Sequence, residues 1–259
     1  MDSLFTVVLD QIIHNYIAYL AVMARIFGAM NVFPIMSGSY FGRMIKLCMA
    51  MAFSIVVFPT INTGKIEAMG PIIIMILIAK EYFVGYIIGY VTSVPIWVIE
   101  NVGQFIDRQR GETLGGSLSN LTNTQDSSIG KLLLQAFTVY FVSMNGVLFF
   151  LSFLYQSYQV FPAEAFLPVV SKAMMANYVS IFENLMVWSI VLSMPIVIVM
   201  FFVEVIMGII SAFLPQLNVT VLSMPIKSAI GIFVLAIYIG NLFHFVLLNY
   251  LDKTGGFHG

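Results

Sequence analysis

The feature that most limits what this chain can become is a succession of roughly six long apolar stretches, near residues 4–33, 44–61, 71–100, 131–155, 176–212 and 222–250, separated by polar or Pro/Gly punctuation. A bilayer core of ~30 Å asks for ~20 apolar residues per helix, and most of these runs supply them. Backbone N–H and C=O groups placed in hydrocarbon must be satisfied within the segment, and the runs lack the two-residue alternation of a transmembrane barrel. The fold class expected is therefore all-α: a membrane-type helical protein with about six long apolar helices, several kinked or broken, ending in a helical hairpin. Composition agrees, since 60% of the residues are hydrophobic and only 9% charged, against about 25% charged in soluble domains.

The same scarcity of charge removes several functions. A formal net charge of −1 with no basic run leaves no electrostatic footprint for nucleic acid. Cys48, the single cysteine, has no partner for a disulfide, a CxxC or a Cys/His metal cluster. Met1-Asp2-Ser3 begins with an acid, and Asp10, Gln11, His14 and Asn15 interrupt the apolar stretch behind it, so no cleavable signal peptide is expected. No HExxH, GxSxG, Walker loop or GxGxxG ahead of a helix is present. Gly115-Gly116-Ser117 could be paired on paper with His244, but serine in a Gly-rich loop is ordinary loop chemistry. Neither an enzyme nor a cofactor or metal site is expected.

Pro95, Pro195 and Pro225 fall inside or near the start of apolar runs, where proline removes a helix hydrogen bond and bends the axis. The connections at 34–43, 101–130 and 213–221 hold Arg43, Arg108 and Arg110, with Lys46, Lys131 and Lys227 at nearby helix starts, whereas Lys65, Lys172 and Lys253 lie on the other side. The positive-inside rule places the first set in the cytoplasm and both termini away from it. The longest polar interruption, Asp107 to Ser128, combines Gly111, Gly115 and Gly116 with Ser, Thr and Asn and reads as a loop. Linkers of that length inside a compact domain are often functional.

Ionisable residues close to apolar runs are Asp10, Arg25, Lys80, Glu81, Glu100, Glu183 and Glu204, each a functional hypothesis because a charge in such surroundings is costly. Adjacent residues on a helix point in different directions, so Lys80 and Glu81 suggest pairing across helices or subunits more than a proton relay. Gly85 and Gly89 form a GxxxG packing pattern. The 17 methionines read mostly as apolar filler, with a deformable interface as the sharper use. Pro215-Gln216-Leu217-Asn218, followed by Pro225-Ile226-Lys227, has the look of a hairpin tip, and its amides offer donors and acceptors to a partner.

Two blocks carry a family resemblance. Gly208-Ile209-Ile210 leading into Pro215-Gln216-Leu217-Asn218-Val219, then Met224-Pro225-Ile226-Lys227, resembles the C-terminal signature of the FliR/SctT family of type III secretion export-apparatus proteins. Gly103-Gln104-Phe105-Ile106-Asp107 with Gln109-Arg110-Gly111-Glu112-Thr113, closing on Ser127-Ser128-Ile129-Gly130, agrees and looks closer to the virulence-injectisome branch (SctT/EscT-like) than to the flagellar one. Ala212 stands where many relatives carry an arginine, and Ser119, Asn120 and Asn123 stand where they carry an acid-proline pair and a glycine. Those positions inherit no role.

The resemblance implies a multi-pass inner-membrane subunit, present once, closing a ring of SctR-type subunits and surrounded by SctS-type hairpins, with the assembled complex projecting to the periplasmic side. Together they form the portal through which unfolded proteins are exported; SctU-type and SctV-type components and inner rod or needle proteins are further implied partners. It also places a plug in the lumen, here Arg108 to Asp126, with Arg108, Arg110, Gly111, Leu114, Gly115, Gly116, Leu118 and Leu121 as its gate residues. Partner contacts are expected at Pro215, Gln216, Asn218 and Lys227, intramembrane or intersubunit charges at Lys80, Glu81, Glu100 and Glu204, and helix packing at Gly85 and Gly89. The chain is taken as one domain, 1–259, with N-terminal helices over 1–100, the plug-like loop over 101–130, central helices over 131–175 and the C-terminal hairpin over 176–259. The alternative is a small-molecule secondary transporter with broken helices; its usual internal repeat is not evident.

Overall fold

In the computed structural model, which describes residues 2–37, 41–60, 71–111, 127–163, 172–214 and 219–255, every regular element is helical. The helices are α1 (Asp2–Val32), α2 (Pro34–Ser37), α3 (Arg43–Val57) with a 3-10 turn at Phe58–Thr60, α4 (Pro71–Arg110), α5 (Ser128–Ser143), α6 (Gly146–Val160), α7 (Lys172–Phe213) and α8 (Val219–Gly255). The all-α expectation holds. Among the described residues three helical stretches are long and apolar enough to cross a membrane, Pro71–Arg110, Val179–Phe213 and Leu222–Tyr250, and α5 with α6 makes a fourth if that broken pair counts as one span. The expected count of about six was therefore loose. α3, with 15 residues, is only about 22 Å long at 1.5 Å per residue and falls short of a bilayer core.

The chain divides into two compact units, Met1–Ser93 with Asn145–Tyr178, and Val94–Met144 with Val179–Gly259. In the first, α1 buries Ala18, Ala21, Val22, Arg25, Ile26, Ala29 and Met30, a stripe at three- and four-residue spacing that marks one helix face. Against it lies the first half of α4. A Cβ at Gly85 would overlap the Arg25 carbonyl, one at Gly89 the Ala29 backbone, and one at Gly28 the Tyr82 carbonyl. The two backbones are in contact, which is possible only because these positions lack a side chain. On α3, Ala50, Ser54 and Val57 are buried, and the Tyr19 hydroxyl of α1 donates to the Met51 carbonyl at 2.7 Å. α6 contributes Phe150, stacked on Phe33 with ring centroids 4.3 Å apart.

In the second unit α7 and α8 run antiparallel, because Lys227 meets Glu204 and, one turn further along α8, Gly231 lies against the Met200 side chain one turn back along α7. α5 packs its Phe137 edge-on to Phe243 of α8 at 5.2 Å. The sequence had placed a loop over 101–130, and the structure corrects its start: α4 continues to Arg110. Polar Asn101, Gln104 and Gln109 lower the hydropathy there, but Ile99, Val102 and Ile106 keep a buried helical stripe. The helix stops at Gly111, whose φ of 88° is the left-handed conformation that glycine adopts at a helix C-terminus.

Pro95, Pro195 and Pro225 all lie within their helices. A buried serine stands two residues before each, at Ser93, Ser193 and Ser223. The Ser93 hydroxyl donates to the Gly89 carbonyl at 2.5 Å and Ser193 to Ile190 at 2.8 Å. Such bonds to carbonyls one turn back give local polar partners where proline disturbs the ladder. Among the described residues a sharp break between apolar helices falls instead at Met144-Asn145, where Asn145 is left-handed at φ 60° and ψ 24°.

Candidate functional site

Two polar clusters stand inside otherwise apolar units. In the first unit Arg25 is completely buried on the inward face of α1. Its Nε donates to Glu81 Oε2 at 2.6 Å, Nη1 to Ser157 Oγ at 3.3 Å and Nη2 to the Phe161 carbonyl at 2.7 Å. The guanidinium plane lies over the Tyr158 ring, 4.0 Å from its centroid, and the Tyr158 hydroxyl returns a hydrogen bond to the Val22 carbonyl. A buried charge needs its full set of partners to offset lost hydration, and Arg25 has an acceptor on each nitrogen. Glu81, equally buried, also meets Lys80 Nζ through Oε1 at 2.6 Å, and Lys80 donates to the Ala163 carbonyl at 3.3 Å. Helix geometry sends the two Cβ vectors apart, but the long lysine stem brings its ammonium back to its neighbour's carboxylate. The partner across the helices is Arg25, which the sequence marked only as a costly charge.

In the second unit the cluster gathers at the end of α4. Asp107, 3% exposed, accepts from the Ser127 hydroxyl at 2.5 Å and from the Ile129 amide at 2.8 Å through one oxygen, and pairs with Arg110 at 3.0 Å through the other. Ser127 is the N-cap of α5, accepting from the Gly130 amide at 2.8 Å. A carboxylate at the positive end of a helix is favourably placed. Gly103 and Gly130 touch: a Cβ on Gly103 would overlap the Gly130 backbone. Arg110 also donates to Ser228 Oγ on α8 at 3.2 Å. Nearby, Gln109 donates to Glu204 at 3.4 Å and Lys227, largely buried, lies 3.4 Å from the same carboxylate.

The remaining site residues distribute unevenly. Arg108 is exposed on α4 with its guanidinium 5.9 Å from the Phe105 centroid, so it and Arg110 are helical and not loop residues. Gly111 ends the helix. Glu100 is half-buried, with the Gln104 side chain hydrogen-bonded to it and Lys131 close by. Leu114, Gly115, Gly116, Leu118, Leu121, Pro215, Gln216 and Asn218 lie outside the described residues. Asp107 and Ser127 had no assigned role, although both stand in the block that carried the resemblance; the signal was an acid and a serine bracketing a Gly-rich segment. Among the described residues no group of three or more His, Cys, Asp or Glu is arranged to hold a metal ion.

Comparison with known proteins sets these features in a family. The profile of bacterial export proteins, family 1, matches residues 16–251. The chain is 32% identical over 230 residues to Yop proteins translocation protein T of Yersinia pestis, covering 88% of both. It is 29% identical over 179 residues, 68% of each chain, to surface presentation of antigens protein SpaR of Shigella flexneri. To flagellar biosynthetic protein FliR of Bacillus subtilis it is 24% identical over 236 residues, 91% of each. The likeness to the FliR/SctT family of export-apparatus proteins read from the two sequence blocks holds, and the transporter alternative falls away. With its profile spanning nearly the whole chain and three helical stretches able to cross a membrane, this protein belongs to the bacterial export proteins, family 1, as a helical membrane protein of that family.

Proposed function

We propose that the chain is an inner-membrane subunit of a type III secretion export gate, assembling with SctR-type and SctS-type subunits around the path taken by unfolded export substrates. The observation that carries this reading is the likeness to Yop proteins translocation protein T over 88% of both chains. The SctU-type and SctV-type components and the inner rod or needle proteins are its further partners. Within the chain, the segment between α4 and α5 is the part assigned to the channel. Its flanking helix ends are joined through Asp107, Ser127 and Ile129, which supports a segment held at its base within a larger assembly. Pro215, Gln216 and Asn218, between the antiparallel α7 and α8, are assigned to contact with another export component.

Deleting residues between Thr113 and Asn123 in the assembled apparatus tests the reading. Assembly should survive, since the Asp107 cluster lies outside the deletion, while passive ion flux across the membrane should rise. An assembled, shortened complex as ion-tight as the parent would place the barrier elsewhere and overturn it.

A further inference from the structure

α7 is apolar around most of its circumference, so hydropathy singles out no outward face of it; its charges do. Turned inward are Leu185, Ser189, Leu192, Ile196, Met200 and Met207, all buried. On one outward flank Ile190, Met194, Val197, Phe201, Glu204 and Gly208 follow one another at alternating steps of four and three residues. All but the half-buried Val197 are exposed. That alternation is the 3.5-residue repeat by which one helix seats its side chains between those of a second. Carried back two steps further, the same line reaches Glu183, which is also exposed. Glu183 and Glu204 are the two acids of α7, and they stand three heptads apart on this one line.

A carboxylate set among Phe201, Phe202 and Val205 is costly to leave in hydrocarbon, and inside an apolar protein seam it needs a cation opposite it. Within the chain Glu204 Oε1 lies 3.4 Å from Lys227 and Oε2 accepts from Gln109 at 3.4 Å. The side chain is still more than half exposed, so it keeps acceptor capacity for a donor from outside. One turn on, a Cβ at Gly208 would meet nothing within 4 Å, unlike those at Gly85 and Gly89. Glycine weakens a helix interior, and no contact within the chain offsets that at Gly208. The gap it leaves in the line is open to the close approach of a second backbone.

Resting on the export-gate reading above, we propose that this flank of α7 is the seat of one helix from a neighbouring export subunit, carrying lysine or arginine opposite Glu183 and Glu204 and approaching most closely at Gly208. The apolar positions between the acids supply contact area, and the acids set the register, as a polar residue within an apolar helix seam does. A helix slipped along the seam sets both carboxylates against apolar side chains, a mismatch that rejects wrong partners as well as wrong registers.

The test uses the complex co-expressed with SctR-type and SctS-type subunits, with a photoreactive benzophenone side chain placed at Ile190, Met194 or Phe201. Each should join the same helix of a neighbouring subunit, and that helix should hold a basic residue. The same group at Ile206 or Ile209, exposed on the opposite flank, should not join it. Glu183→Lys should lower recovery of the complex about tenfold, as loss of one side of an interfacial charge pair does. Changing the facing basic residue of the partner to glutamate should restore it, which a defect in folding would not allow. Gly208→Leu has room within the chain, so it should leave thermal unfolding of the isolated chain unchanged while lowering recovery of the complex. Adducts with lipid alone, adducts with another copy of this chain, or equal joining from both flanks would overturn the proposal. So would a Gly208→Leu complex recovered like the parent, or a charge swap without rescue. If the parent chain forms no complex with these subunits the export-gate reading falls; if the parent complex forms and the seam fails these tests, only the docking seat falls.

Discussion

Arg25 and Glu81 share one bond but not one dependence. Glu81 keeps Lys80 if Arg25 is removed, whereas among the described residues Glu81 is the one acid that meets Arg25. Breaking a buried ion pair from one side costs about 3–5 kcal/mol, because an uncompensated charge remains. Glu81→Leu is therefore expected at the upper end of that range and Arg25→Met below it, with the double substitution costing less than the sum. Thermal unfolding of the detergent-solubilised chain, read as a double-mutant cycle, checks this. Arg25→Lys should not rescue, since an ammonium can neither reach three acceptors in one plane nor stack on Tyr158 in the same way. The Glu204–Lys227 pair contrasts, because its carboxylate is 54% exposed and its separation 3.4 Å. Neutralising Glu204 leaves the largely buried Lys227 ammonium behind, so its cost to the chain's own stability should fall between the about 1 kcal/mol of an exposed pair and the about 3–5 kcal/mol of a buried one. A large loss of complex formation by the same variant would mark Glu204 as a subunit contact.

Helices in this protein are placed by what their small residues permit. At Gly89 a methyl group would meet the Ala29 backbone, which cannot turn aside as a flexible side chain can. Gly89→Ala should therefore push α1 and α4 apart and lower thermal stability by roughly 1–3 kcal/mol, as overpacking does. Gly208 and Gly240 sit in helices with nothing within 4 Å of an added Cβ. Alanine there should be neutral or raise stability by up to about 1 kcal/mol through helix propensity; the same thermal measurement separates the two classes. At the break between α5 and α6, Asn145 holds a left-handed backbone that glycine tolerates and β-branched residues resist. Asn145→Gly should leave stability near the parent value and Asn145→Val should lower it by about 1–2 kcal/mol.

At the scale of the whole molecule, the surface is what a family of export subunits needs and a soluble monomer avoids. α7 exposes Phe182, Met186, Ile190, Phe201, Phe202 and Phe213, large apolar side chains along most of its length. Patches of that extent mark protein or membrane contact. The chain expressed alone should require detergent and form a heterogeneous population, whereas co-expression with SctR-type and SctS-type subunits should yield one defined complex. Native mass spectrometry distinguishes the two results. A chain that is monodisperse alone and takes up no export subunits would contradict the proposed assembly.

Hydropathy and local spacing were enough for the all-α class and the apolar character of α4, α7 and α8, and two short blocks carried the family likeness. These are properties of neighbouring residues, which a period of 3.6 and a run length express directly. Hydropathy misjudged residues 101–110, because it averages polarity over a window while the backbone follows the buried stripe of Val102 and Ile106. It also counted about six spans where the described residues give three or four. Which charges meet was decided by the tertiary structure. Arg25 finds Glu81 from 56 residues away, and Asp107 finds Ser127 from 20. Such partners are chosen by where helix packing sets the side chains down, and the local pattern around either residue carries no record of that choice.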